Sequence, residues 1–304
     1  MRQRLTKFLI SILPILLGFA FGFAACDREE RSRIAPPAAP SRITTYEVRG
    51  VLQETSKDGR KAIIAHEEIP GYMEAMTMEF DVLNSALPGG LEPGDRMAFR
   101  LSVSETQSWI DQVRKLGGTT GPRPSVTTPA TPNVASTQVG MPLPDCALID
   151  QRGRAFRLSD LKGKALAITF IFTRCPLPNF CPLMNRHFAE VQRALKDERA
   201  STDWHLLSVT FDPEYDTPER LAKYAEPYGP DTAHWTFATG ELASIRQLGG
   251  AVGLAVSNNG GPLDHNLRTV VVDATGRVQK VFAGNEWTPR ELVDEMKRAM
   301  AAQP

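Results

Sequence analysis

The sequence predicts two domains, a small all-β barrel followed by a larger α/β domain. Short alternating segments crowd residues 44–115, and buried-strand runs alternate with helical patterns over residues 140–304. Between them runs a stretch with no apolar periodicity. At 304 residues the chain exceeds one average domain. Its 35 basic and 35 acidic residues give a formal net charge of zero, which leaves no basic footprint for nucleic acid.

The N-terminus reads as an export signal over residues 1–25. Arg2, Arg4 and Lys7 form a basic start, the apolar run Phe8–Ala25 follows, and Ala24-Ala25 precede Cys26. Removing it takes away three basic and no acidic residues, leaving 32 against 35. Phe23-Ala24-Ala25-Cys26 resembles a bacterial lipobox, with Phe where Leu is usual. That resemblance implies a lipidated N-terminus at Cys26, anchored to a membrane and facing the periplasm or cell exterior; an uncleaved anchor helix over Phe8–Ala25 and ordinary cleavage are the alternatives, and each places the rest of the chain outside the cytoplasm. Disulfides persist there. Residues 26–43, charged and rich in Pro and Ala, are the expected tether.

Five strands are expected in residues 44–115. Tyr46–Leu52 alternates, Lys57-Asp58-Gly59 marks a turn, and Lys61–His66 follows. Met76–Val82, Met97–Val103 and Ser108–Val113 complete the set, which suits a closed barrel of OB type. Residues 116–139, rich in Thr, Pro, Gly and Ser, read as a flexible linker spanning roughly 27 Å.

In residues 140–304 the runs Ala165–Phe172 and Leu206–Phe211 have the length and apolarity of buried strands. Leu183–Leu195 has helical spacing, and Pro218–Ala225 is a helix with Thr217 as its cap. Arg268–Asp273 and Arg277–Phe282 form a hairpin. Pro289–Met300 closes the chain as a helix whose Thr288 and Glu291 make a capping box. The order β-α-β, then β-β-α, is thioredoxin-like. Cys146 reads as a buried small hydrophobe, while His187, His205 and His234 read as helix surface, strand edge and loop.

The chemistry concentrates in Cys175-Pro176-Leu177-Pro178-Asn179-Phe180-Cys181-Pro182 and in the distant His265. Cys181 stands just before Pro182, a favoured first helical residue, so it reads as an N-cap whose thiolate the helix dipole stabilises. Two thiols this close can form a Cys175–Cys181 disulfide or hold one soft ion, and an imidazole extends the set to Cu(I) or Cu(II). Phe172–Pro176, Cys181-Pro182, Phe211–Pro218 and Leu263-Asp264-His265 together resemble the SCO/SenC family of copper-binding, thioredoxin-fold proteins that assist cytochrome c oxidase assembly. The resemblance implies that Cys175, Cys181 and His265 bind copper, with Asp212 in support. This chain has five residues between its cysteines where the family usually has three.

A second motif lies in the barrel. Met76 and Met78 are two apart on a strand and face the same side, His66 ends the preceding strand, and Met73 lies between. Thioethers are soft, neutral ligands suited to Cu(I). The segment resembles the CusF type of periplasmic copper-binding domain, which implies His66, Met76 and Met78 as ligands. Met73 stands where that type has a Trp, as a third thioether or a cap.

Together these readings describe a membrane-tethered copper chaperone with two sites. It would deliver copper to an apo-cuproenzyme, cytochrome c oxidase subunit II, for CuA assembly. The alternatives are a thiol–disulfide reductase that keeps the oxidase's copper-ligand cysteines reduced, with Cys175 and Cys181 as the redox pair, and a copper-resistance or sensing protein. No Cys-x-x-Cys supports the ordinary thioredoxin-type enzyme.

Overall fold

The computed structural model describes residues 42–85, 87–117, 139–197, 203–257 and 264–302, and these fall in one compact unit. The export segment, Cys26, most of the tether and linker residues 118–138 lie outside the described residues. Among the described residues no helix is long and apolar enough to cross a membrane.

The first domain is an antiparallel sheet of β1 (Thr44–Thr55), β2 (Lys61–His66), β3 (Met76–Asp81), β4 (Arg96–Val103) and β5 (Ser108–Gly117), in the order β3-β2-β1-β4-β5. Val82 bridges Ile110 in parallel, so the outer strands meet and the sheet closes. Alternation sets the interior: Ala62, Ile64 and His66 of β2 are buried while Lys61, Ile63 and Ala65 are half-exposed. Val48, Leu52, Phe80, Phe99, Leu101 and Ile110 fill the core.

The second domain is an α/β unit. It comprises β6 (Ala147–Asp150), β7 (Ala155–Arg157), β8 (Ala165–Ile171), α1 (Cys181–Asp197), β9 (Trp204–Thr210), α2 (Pro218–Ala225), β10 (Trp235–Thr239), α3 (Leu242–Ala251), β11 (Val256–Ser257), β12 (Asp264–His265), β13 (Arg268–Val272), β14 (Val278–Ala283) and α4 (Pro289–Ala301). Seven strands form one sheet in the order β14-β13-β8-β9-β10-β6-β7, and β11 pairs with β12 separately. β8 and β9 run parallel, as the crossover through α1 requires, and every residue of both strands is buried.

The helix starts follow their caps. Thr217 accepts a hydrogen bond from the Arg220 amide, with Pro218 at the first helical position. Thr288 and Glu291 cap reciprocally, the Thr288 amide donating to Glu291 Oε2 at 2.7 Å. These are the caps the sequence predicts.

Three expectations are corrected. His205 is not at a strand edge: it lies in central β9, 4% exposed, with Nε2 2.9 Å from Thr236 Oγ1. His187 is half-buried, its ring edge-on to Trp287 at 4.9 Å. Cys181 is the first helical residue and not the cap, because the Phe180 carbonyl already accepts from the Met184 amide at 3.0 Å.

Candidate metal centres

The barrel centre is built by strand register. β2 and β3 pair so that His66 stands opposite Met76 and Ile64 opposite Met78. Opposed Cβ atoms lie about 5 Å apart, and Met78 is two residues along from Met76 on the same face. Phe80 continues that row into the core and meets the His66 ring edge-on at 5.6 Å. Both methionines are half-buried against the core, and Met76 and His66 line a surface cleft. Met73 lies in the loop before β3, buried in the core and bridged to Ile69.

The His66 imidazole has one nitrogen held and one unpaired. Its Nδ1 lies 2.7 Å from the Glu67 carbonyl oxygen, which assigns the ring proton to Nδ1. That leaves the lone pair on Nε2, which is buried and has no hydrogen-bond partner. Burial lowers the imidazole's pKa and keeps the ring neutral. An unpaired buried nitrogen beside two half-buried thioethers fits a soft monovalent cation.

Gly50 belongs to this centre although its sequence context did not mark it. It pairs with His66 across β1 and β2. A Cβ there would stand 2.6 Å from Ile64 Cγ2 and 2.7 Å from the Ala65 oxygen, so only glycine admits this approach.

The thiol centre lies at the start of α1. Cys175 and Cys181 are both free, and the Cys181 thiol hydrogen-bonds to Cys175. Burial alone would raise the Cys175 thiol, but that bond and backbone hydrogen bonds at Cys181 and Leu177 outweigh it and hold Cys175 low. Burial pushes Cys181 far up, and its bond to Cys175 and the charge there add to the rise. Of the two thiols Cys175 is therefore the more acidic, and not the helix-start Cys181 that the dipole argument favours. Cys146 is free and buried in the α/β core.

His265 sits on β12 with Nδ1 3.2 Å from the Asn266 carbonyl oxygen, again freeing Nε2. Its ring packs against Phe172 at 5.4 Å and Phe211 at 4.5 Å. Burial drives its pKa down to about 4, so it is neutral near pH 7. Among the described residues no three His, Cys, Asp or Glu side chains converge closely enough to hold an ion. The two thiols meet, and His265 waits against Phe172, a residue whose backbone hydrogen-bonds to both cysteines. Ligation by all three requires the imidazole or the thiol loop to move.

Asp212 and Asp216 brace the thiol loop. Arg174 donates to Asp212 Oδ2 at 2.7 Å, and its guanidinium lies over Tyr215 at 4.2 Å. The Thr173 amide donates to Asp216 at 3.0 Å, and the hydroxyls of Thr173 and Thr210 donate to the same carboxylate.

The loop between the thiols packs against the barrel. Leu177 is 3% exposed and belongs to the barrel's core, with Phe180 and Cys175 packed against that core. Tyr72 Oη donates to the Pro176 oxygen at 2.9 Å. Asn179 joins both domains: it accepts from Ser108 Oγ at 2.6 Å, donates to Asp81 Oδ2 at 2.9 Å, and its carbonyl accepts from Asn285 at 2.8 Å. Arg186 donates to the Thr106 oxygen and Lys61 pairs with Glu286. Cα atoms of β12 come within 8 Å of β3. The two domains that the sequence joins by a flexible linker are in contact in the structure.

Comparison with known proteins agrees with this two-part architecture. Residues 141–301 match SCO1/SenC, and residues 45–115 match the copper binding periplasmic protein CusF. The SCO1 protein homolog of Bacillus subtilis is 32% identical over 155 residues, spanning 49% of this chain and 78% of that protein. Among solved structures, BsSco, a member of the Sco family of cytochrome c oxidase assembly proteins, is 28% identical over 54% of this chain and 96% of its own, at a TM-score of 0.48. Bradyrhizobium japonicum ScoI with copper bound is 27% identical over 53% of this chain and 99% of its own, at a TM-score of 0.44.

Proposed function

Since the chain belongs to the SCO1/SenC family and carries a CusF-type domain ahead of it, we propose that it is an exported, membrane-tethered copper chaperone with two sites. The barrel takes Cu(I) at His66, Met76 and Met78, with Met73 as the further thioether available. Cys175, Cys181 and His265 take copper in the second domain. The tether is the lipid on Cys26, and the recipient is an apo-cuproenzyme, cytochrome c oxidase subunit II, at its CuA centre.

One observation carries this reading. Two sets of soft donors occur in one compact unit, each with a neutral histidine whose Nε2 is free. A structural disulfide would not need His265, and His66 Nε2, buried and without a hydrogen-bond partner, keeps a lone pair for an ion. Copper is the cargo. The thiol pair supplies a thiolate to hold it, and the methionines supply ligands that neither protonate nor form disulfides.

The test is transfer. Copper-loaded chain mixed with the apo CuA domain of subunit II should convert it to the copper-loaded form, read as copper carried by the domain after the two proteins are separated. Cys175→Ser with Cys181→Ser should abolish that conversion. Conversion that survives in the double variant sinks the assignment of the thiol centre.

A second reading has its own support. Cys175, the low-pKa member of a reduced pair, is poised to attack a disulfide. In that case the chain would reduce the oxidase's copper-ligand cysteines. Reduction of an oxidised CuA domain by copper-free chain, at a rate copper does not raise, would favour it.

A further inference from the structure

We propose that the loop between the two thiols docks the barrel, and that copper passes between the methionine and thiol centres across this interface while the domains stay in contact. The proposal rests on the two-site reading above and adds the path between the sites.

The five-residue segment Pro176–Phe180 makes the contact. Its apolar residues enter the barrel, Leu177 as a core member and Phe180 against the core. The Pro176 oxygen and both side-chain polar atoms of Asn179 are matched by Tyr72, Ser108 and Asp81 of the barrel. Asn179 is 6% exposed and satisfied on three sides, which a solvent loop does not require. The loop's two ends are the thiols themselves, so the docking element and the thiol centre are one piece of chain.

The elements that carry the ligands of the two centres adjoin along this seam. Cys175 packs against the cores of both domains. Tyr72, which grips Pro176, directly precedes Met73 and stacks on Tyr46 at 4.5 Å. β12, carrying His265, lies alongside β3, carrying Met76 and Met78. In the transfer a Cu–S(thioether) bond is replaced by a Cu–S(Cys175) bond, and the thiol proton leaves to solvent. Copper stays Cu(I), and no electron moves.

The test uses the exported chain, fully reduced, with 13C-labelled methionine methyls and half an equivalent of Cu(I). Methyl line shapes of Met76 and Met78 report how fast copper leaves and returns. 15N relaxation reports whether the domains tumble together. Leu177→Asp places a charge in the barrel core, and Asn179→Ala removes the bridging amide without adding one. Neither residue is in a ligand set.

Wild-type chain should tumble as one body and exchange fast. Leu177→Asp should tumble as two bodies and exchange at least tenfold more slowly, because only the linker's effective concentration of about millimolar remains. Asn179→Ala should slow exchange in the same direction, and it decides the matter if Leu177→Asp does not fold. Wild-type chain that tumbles as two bodies, variants that both stay docked, or undocked variants whose exchange changes less than twofold would each overturn the proposal. Titration to saturation separates the two claims. Two equivalents bound with unchanged exchange overturns the path alone, whereas fewer than two in the wild type overturns the two-site reading.

Discussion

Replacing His66 with Leu separates a ligand from a structural residue. In the copper-free chain Nε2 is buried and unpaired, and such a group costs about 1–3 kcal/mol. His66→Leu removes that cost. It also loses the hydrogen bond from Nδ1 to the Glu67 oxygen at 2.7 Å, worth about 0.5–1.5 kcal/mol. The edge-on contact with Phe80 goes too, worth about 0.5–1.5 kcal/mol beyond burial. These terms nearly cancel, so the apo variant should lie within about 1 kcal/mol of wild type. Copper binding at the barrel should be lost. Urea denaturation of apo protein and Cu(I) titration measure the two quantities. A variant destabilised by more than about 2 kcal/mol that still binds copper in the barrel would refute the reasoning and make His66 a core residue.

Three further outcomes follow from the geometry. Gly50→Ala forces a Cβ within 2.7 Å of the Ala65 oxygen, so it should destabilise the chain by about 1–3 kcal/mol and weaken barrel copper binding, read by the same two assays. Met76→Ile with Met78→Ile should remove one copper equivalent while the far-ultraviolet spectrum and denaturation midpoint stay near wild type; loss of the fold instead would make the pair core. Burial holds His205 and His265 at about 4 against an ordinary 6.5, so between those pH values the unfolded chain binds more protons than the folded one. Apo stability should therefore be complete above pH 6.5 and fall as pH drops toward 4, by up to about 3 kcal/mol for His205; equal denaturation midpoints at pH 7.5 and pH 5 would contradict it.

Local patterns carried most of the fold into the sequence. Alternation in Lys61–His66 and continuous apolarity in Ala165–Ile171 report directly which faces are buried. The capping boundaries at Thr217 and Thr288 are equally local, since each cap bonds within three residues. The barrel centre was legible because antiparallel register and a period of two put His66, Met76 and Met78 on one face. What escaped was tertiary. His205 looks like a polar interruption in Trp204–Thr210, and only the pairing of β9 between β8 and β10 makes it central. Leu177 and Phe180 sit in a Pro-rich segment without periodicity, so nothing local announces that they fill another domain. Which of the two thiols is the more acidic was missed for the same reason. The helix start favours Cys181, but the bond Cys181 gives to Cys175 decides it. Gly50 is silent in sequence, because its role is a close approach to a strand more than ten residues away.

The most direct measurement is the Cu(I) stoichiometry of the reduced, exported chain, titrated against a competing chromophoric ligand. Two tight equivalents per chain should bind, falling to one in Cys175→Ser with Cys181→Ser and to none when His66→Leu is added. A single equivalent in the wild type, or two that survive loss of both cysteines, would contradict the account.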